Sequence, residues 1–307
     1  MVDLAHAQAF LASRSGAEVS DVSPLGAGEW SQAFAFRRAS RGYVIRFGAH
    51  GDDFARDQLA AAFAGPALPI PAVLELGEAF DGYYAIAERV FGGYIDDLDE
   101  APLRGLLPAL MAALDAMRLA DLSHTTGYGG WDAAGNAPNA SWRAALLDVA
   151  SDRPGDRIHG WRARLDASAV GSEPFDAAYR RLESLADDLP DLRCLIHSDL
   201  LHYNVLVQGD RITGVLDWGC AMTGDFLYDL AWFSFWQPWY PAWQHIDFVQ
   251  EARRHYAATG LAMPAFEQRL RCCLLHIGLA GMAYQAYAGD WTNLEGTARR
   301  TLDLASS

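Results

Sequence analysis

His197, Asp199 and Asn204 stand in the spacing H-x-D-x-x-x-x-N, and Asp217-Trp218-Gly219 begins thirteen residues beyond Asn204. Between them run two apolar segments, Val205-Leu-Val and Ile212-Thr-Gly-Val-Leu, around Gly209-Asp210, a two-residue hairpin turn signal. With that turn, the numbers of facing residues sum to 419, so Asn204 faces Val215 and His202 faces Asp217. Facing residues share one side of a hairpin, as do residues two apart on a strand. Asn204 and Asp217 are then diagonal neighbours, about 7–8 Å apart at the backbone. Asp199 falls in the loop at the same end. Two carboxylates and an amide oxygen suit a hard cation such as Mg²⁺ better than zinc, and Mg²⁺ held by so few protein ligands completes its shell with phosphate oxygens. Asp199 would orient a substrate hydroxyl and accept its proton. The alternative is a set of turn and cap residues. For His197 alone a structural role is the simpler one, but the combined spacing argues against it for the group.

Other elements must hold this island in place. A short helix is expected within 1–18. Val22, Leu25, Phe34, Phe36, Tyr43, Ile45 and Phe47 are spaced as in strands, with Gly26, Gly28 and Arg41-Gly42 as turns. Asp53 to Ala64 reads as a helix closed by Pro66, Pro69 and Pro71, and Val73 to Val90 as two strands around Asp81-Gly82. After Gly92-Gly93 the chain turns helical: 102–120, 142–149, 172–189 and from Phe226 onward. Ser123 to Ser141 is a long polar, Gly-rich loop of the kind that carries function. The chain therefore divides at 91/92 into two lobes, 1–91 and 92–307.

Composition narrows the chemistry. The 307 residues include 24 Lys plus Arg against 39 Asp plus Glu, a net charge of −15. Such acidity argues against a nucleic-acid binder and is compatible with a cationic partner. All 24 basic residues are Arg. A Schiff base, a lysine nucleophile and the lysine of a Walker loop are thereby excluded. Four Cys without a C-x-x-C pair make no disulfide scaffold. The N-terminus lacks the basic and apolar regions of a secretory signal. The 18 residues from Cys272 to Gly289 contain no Asp, Glu, Arg or Lys, yet His276, Gln285 and three glycines favour a buried helix over a membrane span. The expectation is a cytoplasmic monomer without nucleic-acid or membrane partners.

The H-x-D-x-x-x-x-N and D-W-G elements resemble the H-R-D-x-x-x-x-N and D-F-G elements of kinases. Ser198 in place of the kinase Arg, and Trp218 in place of the Phe, point to the small-molecule kinases of the aminoglycoside phosphotransferase family. The resemblance implies an α+β, protein-kinase-like two-lobe fold, with a small lobe of antiparallel sheet plus helix and a larger, mostly helical lobe bearing the catalytic hairpin. It implies Asp199 as the catalytic base, His197 as a brace of its loop, and Asn204 and Asp217 as holders of Mg²⁺. It further implies a nucleotide, ATP or GTP. Gly26, Gly28 and Ser31 would belong to the phosphate-covering loop, although an ordinary hairpin turn explains them equally. Kinases pair a strand lysine with a helix glutamate. Here Arg46 would take the lysine's place, forking onto phosphate and carboxylate oxygens, with Asp57, Glu75 or Asp53 as its partner. Backbone groups near Glu88 and Val90 would meet the nucleotide base.

The segments Gly42-Tyr-Val-Ile-Arg, Ala67-Leu-Pro-Ile-Pro-Ala-Val-Leu, Thr126-Gly-Tyr-Gly-Gly-Trp, Ser141-Trp-Arg and Phe235-Trp-Gln-Pro-Trp extend the resemblance over nearly the whole chain, in order. In the family, an acid of the Gly-Asp-x-x-x-Asp element supports the catalytic loop, which points to Asp229. Asp225 is a helix-cap candidate and a candidate substrate contact. Trp232, Trp236, Trp239 and Trp243 share a helical face on paper, interrupted by Pro238 and Pro241. Trp232 reads as core. Trp236 and Trp239 either join it or line a sugar site, with Tyr128 and Trp131 as a second wall. The expected reaction is Mg²⁺-dependent phosphoryl transfer from ATP to a hydroxyl of a cationic aminoglycoside-like antibiotic. The rivals are another small acceptor such as an amino alcohol or sugar, an inactive nucleotide-binding module, and a metal-dependent phosphohydrolase.

Overall fold

The computed structural model describes residues 2–14, 19–28 and 30–306. Of the predicted end of the first helix, Ser13 to Gly16, the last two residues lie outside the described residues, as does Glu29 of the Gly-rich loop. By internal contacts the chain forms two compact units: residues 1–116, 131–136 and 201–221, and residues 117–130, 137–200 and 222–307. Contacts thus group 92–116, 131–136 and 201–221 with the first segment, where composition alone drew its line at 91/92.

The first unit opens with α1 (Leu4–Arg14). It continues through β1 (Val19–Ala27), β2 (Ser31–Arg38), β3 (Arg41–Gly48), α2 (Gly51–Ala60), β4 (Val73–Ala79) and β5 (Gly82–Glu88). The strands form one antiparallel sheet in the order β1-β2-β3-β5-β4. Period-2 alternation decides its faces. Phe34, Phe36, Ile45, Phe47, Tyr84 and Ile86 close over Ala7 and Leu11 of α1. The intervening residues point the other way, so Arg46 stands on the opposite face between Ala33 and Ala85. Small neighbours leave the guanidinium room to extend.

The unit also holds β6 (Gly93–Tyr94), the start of α3 (Glu100–Arg118), and the hairpin of β9 (Val205–Gln208) and β10 (Arg211–Val215), with β6 paired to β9. The turn lies where predicted, and the first two facing pairs sum to 419: Arg211 with Gln208 and Ile212 with Val207. A bulge at Thr213 then shifts the register, pairing Gly214 with Leu206 and Val215 with Val205. The predicted pairing of Asn204 with Val215 and of His202 with Asp217 is therefore overturned. Leu216, not Val215, donates its N–H to the Asn204 carbonyl, at 2.8 Å. The bulge has visible causes. Thr213 Oγ1 donates to the Phe91 carbonyl at 2.8 Å. A Cβ on Gly214 would come within 2.8 Å of Val90 Cγ2, so only glycine permits this approach. The segment Val90–Tyr94 is thereby laced onto the hairpin.

The second unit is mostly helical: α4 (Trp142–Leu147), α5 (Trp161–Ala167), α6 (Glu173–Leu185), α7 (Leu227–Trp236), α8 (Phe248–Ala258), α9 (Phe266–Ala288) and α10 (Trp291–Ser306). A small sheet of β7 (Gly129–Gly130), β8 (Cys194–Ile196) and β11 (Met222–Gly224) runs in the order β7-β11-β8. α9 is buried on nearly all sides, as Leu270, Cys272, Leu275, Leu279, Met282 and Ala286 attest, which is why its sequence lacks charge from Cys272 on. Among the described residues no helix is long and apolar enough to cross a membrane. The short α5 was not foreseen. The 123–141 loop is partly pinned, by β7 and by an antiparallel bridge between Tyr128 and Asn139.

Candidate active site

In the first unit, Arg46 from β3 forms an ion pair with Asp57 from α2, and its other terminal nitrogen lies 3.7 Å from Asp217 Oδ1. This resolves the choice among its three candidate partners. Glu75 instead accepts from Arg14 and from Tyr84 Oη, which hold its carboxyl below the ordinary range. Asp53 pairs with Arg56 at 2.9 Å. Arg46 also stacks over the Phe54 ring at 5.1 Å, which fixes the guanidinium plane.

The Asp217-Trp218-Gly219 turn is gripped by α2 at two points. Asp57 Oδ1 accepts from the Trp218 backbone N–H at 2.7 Å, and Arg56 donates to the Gly219 carbonyl. Trp218 is fully buried and donates from its indole nitrogen to Val215 O at 3.2 Å. Asp217 itself adopts a left-handed conformation (φ 57°) and stays half exposed, at 52% of its side chain. An exposed carboxylate beside a guanidinium is available to a ligand. Asn204, at the mouth of β9, is buried, at 8% exposure. Asn204 and Asp217 thus offer hard oxygens, the donor type Mg²⁺ takes. Among the described residues no group of three or more His, Cys, Asp or Glu gathers as a metal site.

The hinge segment is half used. The Glu88 N–H donates to Ala72 O and the Arg89 N–H to Gly42 O, both at 3.1 Å. Glu88 therefore has no free N–H for a nucleotide base. Gly28 closes its turn by donating to Ser31 O at 2.9 Å, and neither Gly26 nor Gly28 is crowded where a side chain would project. Asp96 was missed by sequence reasoning. It accepts from the backbone N–H groups of His202 and Tyr203, at 2.8 and 3.0 Å. No local pattern marks it, since its partners lie more than a hundred positions away. Trp131 is buried, its N–H bonded to Ala221 O.

In the second unit, Asp229 lies beneath the turn that carries Asp199. Its carboxylate accepts from the backbone N–H groups of His197 (2.9 Å) and Ser198 (2.8 Å). Those bonds hold Ser198 in its left-handed conformation (φ 63°). Burial pushes the Asp229 carboxyl upward, against the pull of those donors and of His197. His197 is fully buried, and its Nδ1 accepts from the Asp199 N–H at 3.2 Å. It braces the loop as an acceptor, and Asp199 on that turn is half-buried.

Asp225 does not stand open to a substrate. Its Oδ1 accepts from the Leu227 N–H just before α7, and both its oxygens engage Arg269 at 2.7 Å in a pair whose side chains are each 1% exposed. The expectation of a substrate contact is corrected accordingly. A Cβ on the preceding Gly224 would strike the Trp142 ring at 2.2 Å, so glycine is required there. α7 ends at Trp236 and gives way to two short turns, as the prolines dictate. Trp232 and Trp236 pack edge to face at 5.8 Å, Trp236 and Trp239 at 5.1 Å, and Trp243 stacks on Tyr240. Trp236 is buried within this aromatic cluster and Trp239 is half-buried. Tyr128 is half-buried, with its hydroxyl on Asp191 O and Arg193 over its ring.

Comparison with known proteins agrees with this geometry. The chain is 36% identical over 263 residues to the hygromycin-B 4-O-kinase of Escherichia coli, covering 85% of this chain and 73% of that one. Among solved structures it matches aminoglycoside phosphotransferase APH(4)-Ia with a TM-score of 0.84 at 32% identity, over 98% of this chain and 97% of the other. A thermostable mutant of that enzyme, in ternary complex with AMP-PNP and hygromycin B, matches with a TM-score of 0.83 at 32% identity over 97% of each chain. The model of the APH phosphotransferase enzyme family matches residues 21–266, and the chain belongs to that family: a kinase-like, nucleotide-using small-molecule O-phosphotransferase.

Proposed function

We propose that this protein transfers the γ-phosphoryl group of ATP to a hydroxyl of hygromycin B and so confers resistance to it. The observation that carries the reading is the pair of supports under the H-x-D-x-x-x-x-N and D-W-G elements. Asp229 and His197 shape the loop that presents Asp199, and Arg46, Asp57 and Arg56 hold the turn that presents Asp217. The 36% identity to a hygromycin-B 4-O-kinase supports hygromycin B as the acceptor.

In the reaction, the acceptor oxygen forms a bond to the γ-phosphorus while the bond from that phosphorus to the β,γ-bridging oxygen breaks, and ADP departs. The hydroxyl proton passes to the Asp199 carboxylate. Arg46, fixed by Asp57 and Phe54, steadies the phosphates with charge-assisted bonds. Asn204 and Asp217 would hold Mg²⁺, which when bound neutralises charge on the phosphate oxygens. Gly26, Gly28 and Ser31 would cover the phosphates, and the segment ending at Val90 would meet the base. Trp239 and Tyr128, both half-buried, are the aromatic candidates for the aminocyclitol, and the net charge of −15 suits its ammonium groups. The enzyme acts as a cytoplasmic monomer.

The test is an ADP-release assay with Mg²⁺ and ATP across hygromycin B, spectinomycin, choline and simple sugars. Release with hygromycin B alone is expected. Release with choline or a sugar and none with hygromycin B would overturn the acceptor while sparing the phosphotransferase.

A further inference from the structure

We propose that Asp96 is a positioning residue that sets the Asn204 end of the catalytic loop, an inference that rests on Asn204 acting as a metal ligand. The antiparallel pairing of β6 with β9 matches Gly93 to Val207 and Tyr94 to Leu206. Continued two residues further, that register brings Asp96 opposite Asn204. The chain does not continue as strand on either side. Ile95–Asp97 forms a turn anchored by the fully buried Ile95. Opposite it, His202 and Tyr203 are both left-handed, with φ of 61° and 69°.

Two consecutive left-handed residues are costly for side chains of this size, and they aim successive N–H groups at one point. The Asp96 carboxylate occupies that point, one oxygen on each N–H, at 2.8 and 3.0 Å. The Tyr94 ring meets the Tyr203 ring edge-on at 5.1 Å and fixes the same corner. Asn204 follows at once, with its carbonyl tied to the Leu216 N–H at 2.8 Å. Asp96 therefore dictates the direction in which the chain enters Asn204. Loss of an outer partner that orients a metal ligand costs roughly 10–100-fold in metal affinity or activity.

The experiment is a Mg²⁺ titration of phosphotransferase activity in Asp96→Ala, Asp96→Asn and Asn204→Ala, each with KM for hygromycin B and a melting curve. Asp96→Ala should raise the half-saturating Mg²⁺ concentration about 10-fold, lower kcat, and leave KM for hygromycin B within about twofold. Asp96→Asn keeps one acceptor oxygen and should fall between wild type and Asp96→Ala. A wild-type Mg²⁺ midpoint in Asp96→Asn overturns the inference, even if Asp96→Ala fails to fold. So does a loss that appears only as a lower melting temperature or a higher KM for hygromycin B. Asn204→Ala separates the two levels. If it shifts the Mg²⁺ midpoint while the Asp96 variants do not, only the role of Asp96 falls. If it does not shift the midpoint, the metal assignment falls and the inference with it.

Discussion

Asp199 sits on a turn whose backbone is held from within: Asp229 takes the N–H groups of His197 and Ser198, and His197 takes that of Asp199. These bonds engage the backbone of the turn, and the half-buried Asp199 is the proposed base. Asp199→Asn keeps the size of the side chain and removes its basic site. Turnover should fall about 10²–10⁴-fold, with nucleotide affinity, read by calorimetry, nearly unchanged. Arg46 is paired with Asp57 and is proposed to reach toward the phosphates. Arg46→Ala should weaken nucleotide binding or turnover at least about tenfold, from charge-assisted bonds of about 1.5–3 kcal/mol. Unchanged kinetics would contradict the clamp. The spacing of His197, Asp199, Asn204 and Asp217 singled out the candidates for chemistry. Asp225 shows where spacing stops. Its Gly-Asp motif resembles a functional element, but the side chain that engages it, Arg269, lies 44 residues away and is reached only through the fold.

At the scale of elements, the hairpin and α2 decide how the Asp217 turn is built. The Gly209-Asp210 turn was readable because few residues tolerate that geometry, and Gly209 indeed has a φ of 63°. The bulge at Thr213 was not readable. Ile212-Thr-Gly-Val looks like an unbroken strand, and its cause, the approach of Val90 and the Phe91 carbonyl, comes from another element. The strand-and-helix order of the first ninety residues followed from period-2 alternation and prolines. The short α5 (WRARLDA) escaped because seven residues with three charges carry too little periodicity. α2 grips the Asp217 turn through Asp57. Asp57→Ala removes the partner of the Trp218 N–H and leaves Arg46 without its buried carboxylate. Urea unfolding should show a loss of about 1–3 kcal/mol with an unchanged m-value. Wild-type stability would mean that the turn does not depend on this grip.

Across the whole molecule, the two-lobe α+β organisation and the all-arginine, acidic composition were visible from the start, whereas the grouping of 201–221 with the first unit was not, because it depends on long-range pairing of β6 with β9. The helical unit carries a pH signature of its own. His276 is half-buried in it, with Nδ1 on the Tyr228 hydroxyl at 2.9 Å, and loss of water around the ring takes the imidazole from 6.5 down to about 4. The folded chain therefore keeps this histidine neutral while the unfolded chain protonates it below 6.5. Between these values the unfolded state binds more protons, so stability drops as pH falls, by roughly 3 kcal/mol in all, and below about 4 this residue adds no further slope. His276→Gln should flatten the unfolding free energy against pH in that window. An identical slope in the variant would contradict the burial of an uncharged imidazole.

The most direct measurement of the central claim is the mass of hygromycin B after incubation with ATP and Mg²⁺, run side by side with wild-type protein and Asp199→Asn. An antibiotic heavier by one phosphoryl group is expected with the wild type, and at matched protein and time almost none with the variant. Unmodified hygromycin B from the wild type, or equal phosphorylation by both proteins, would contradict it.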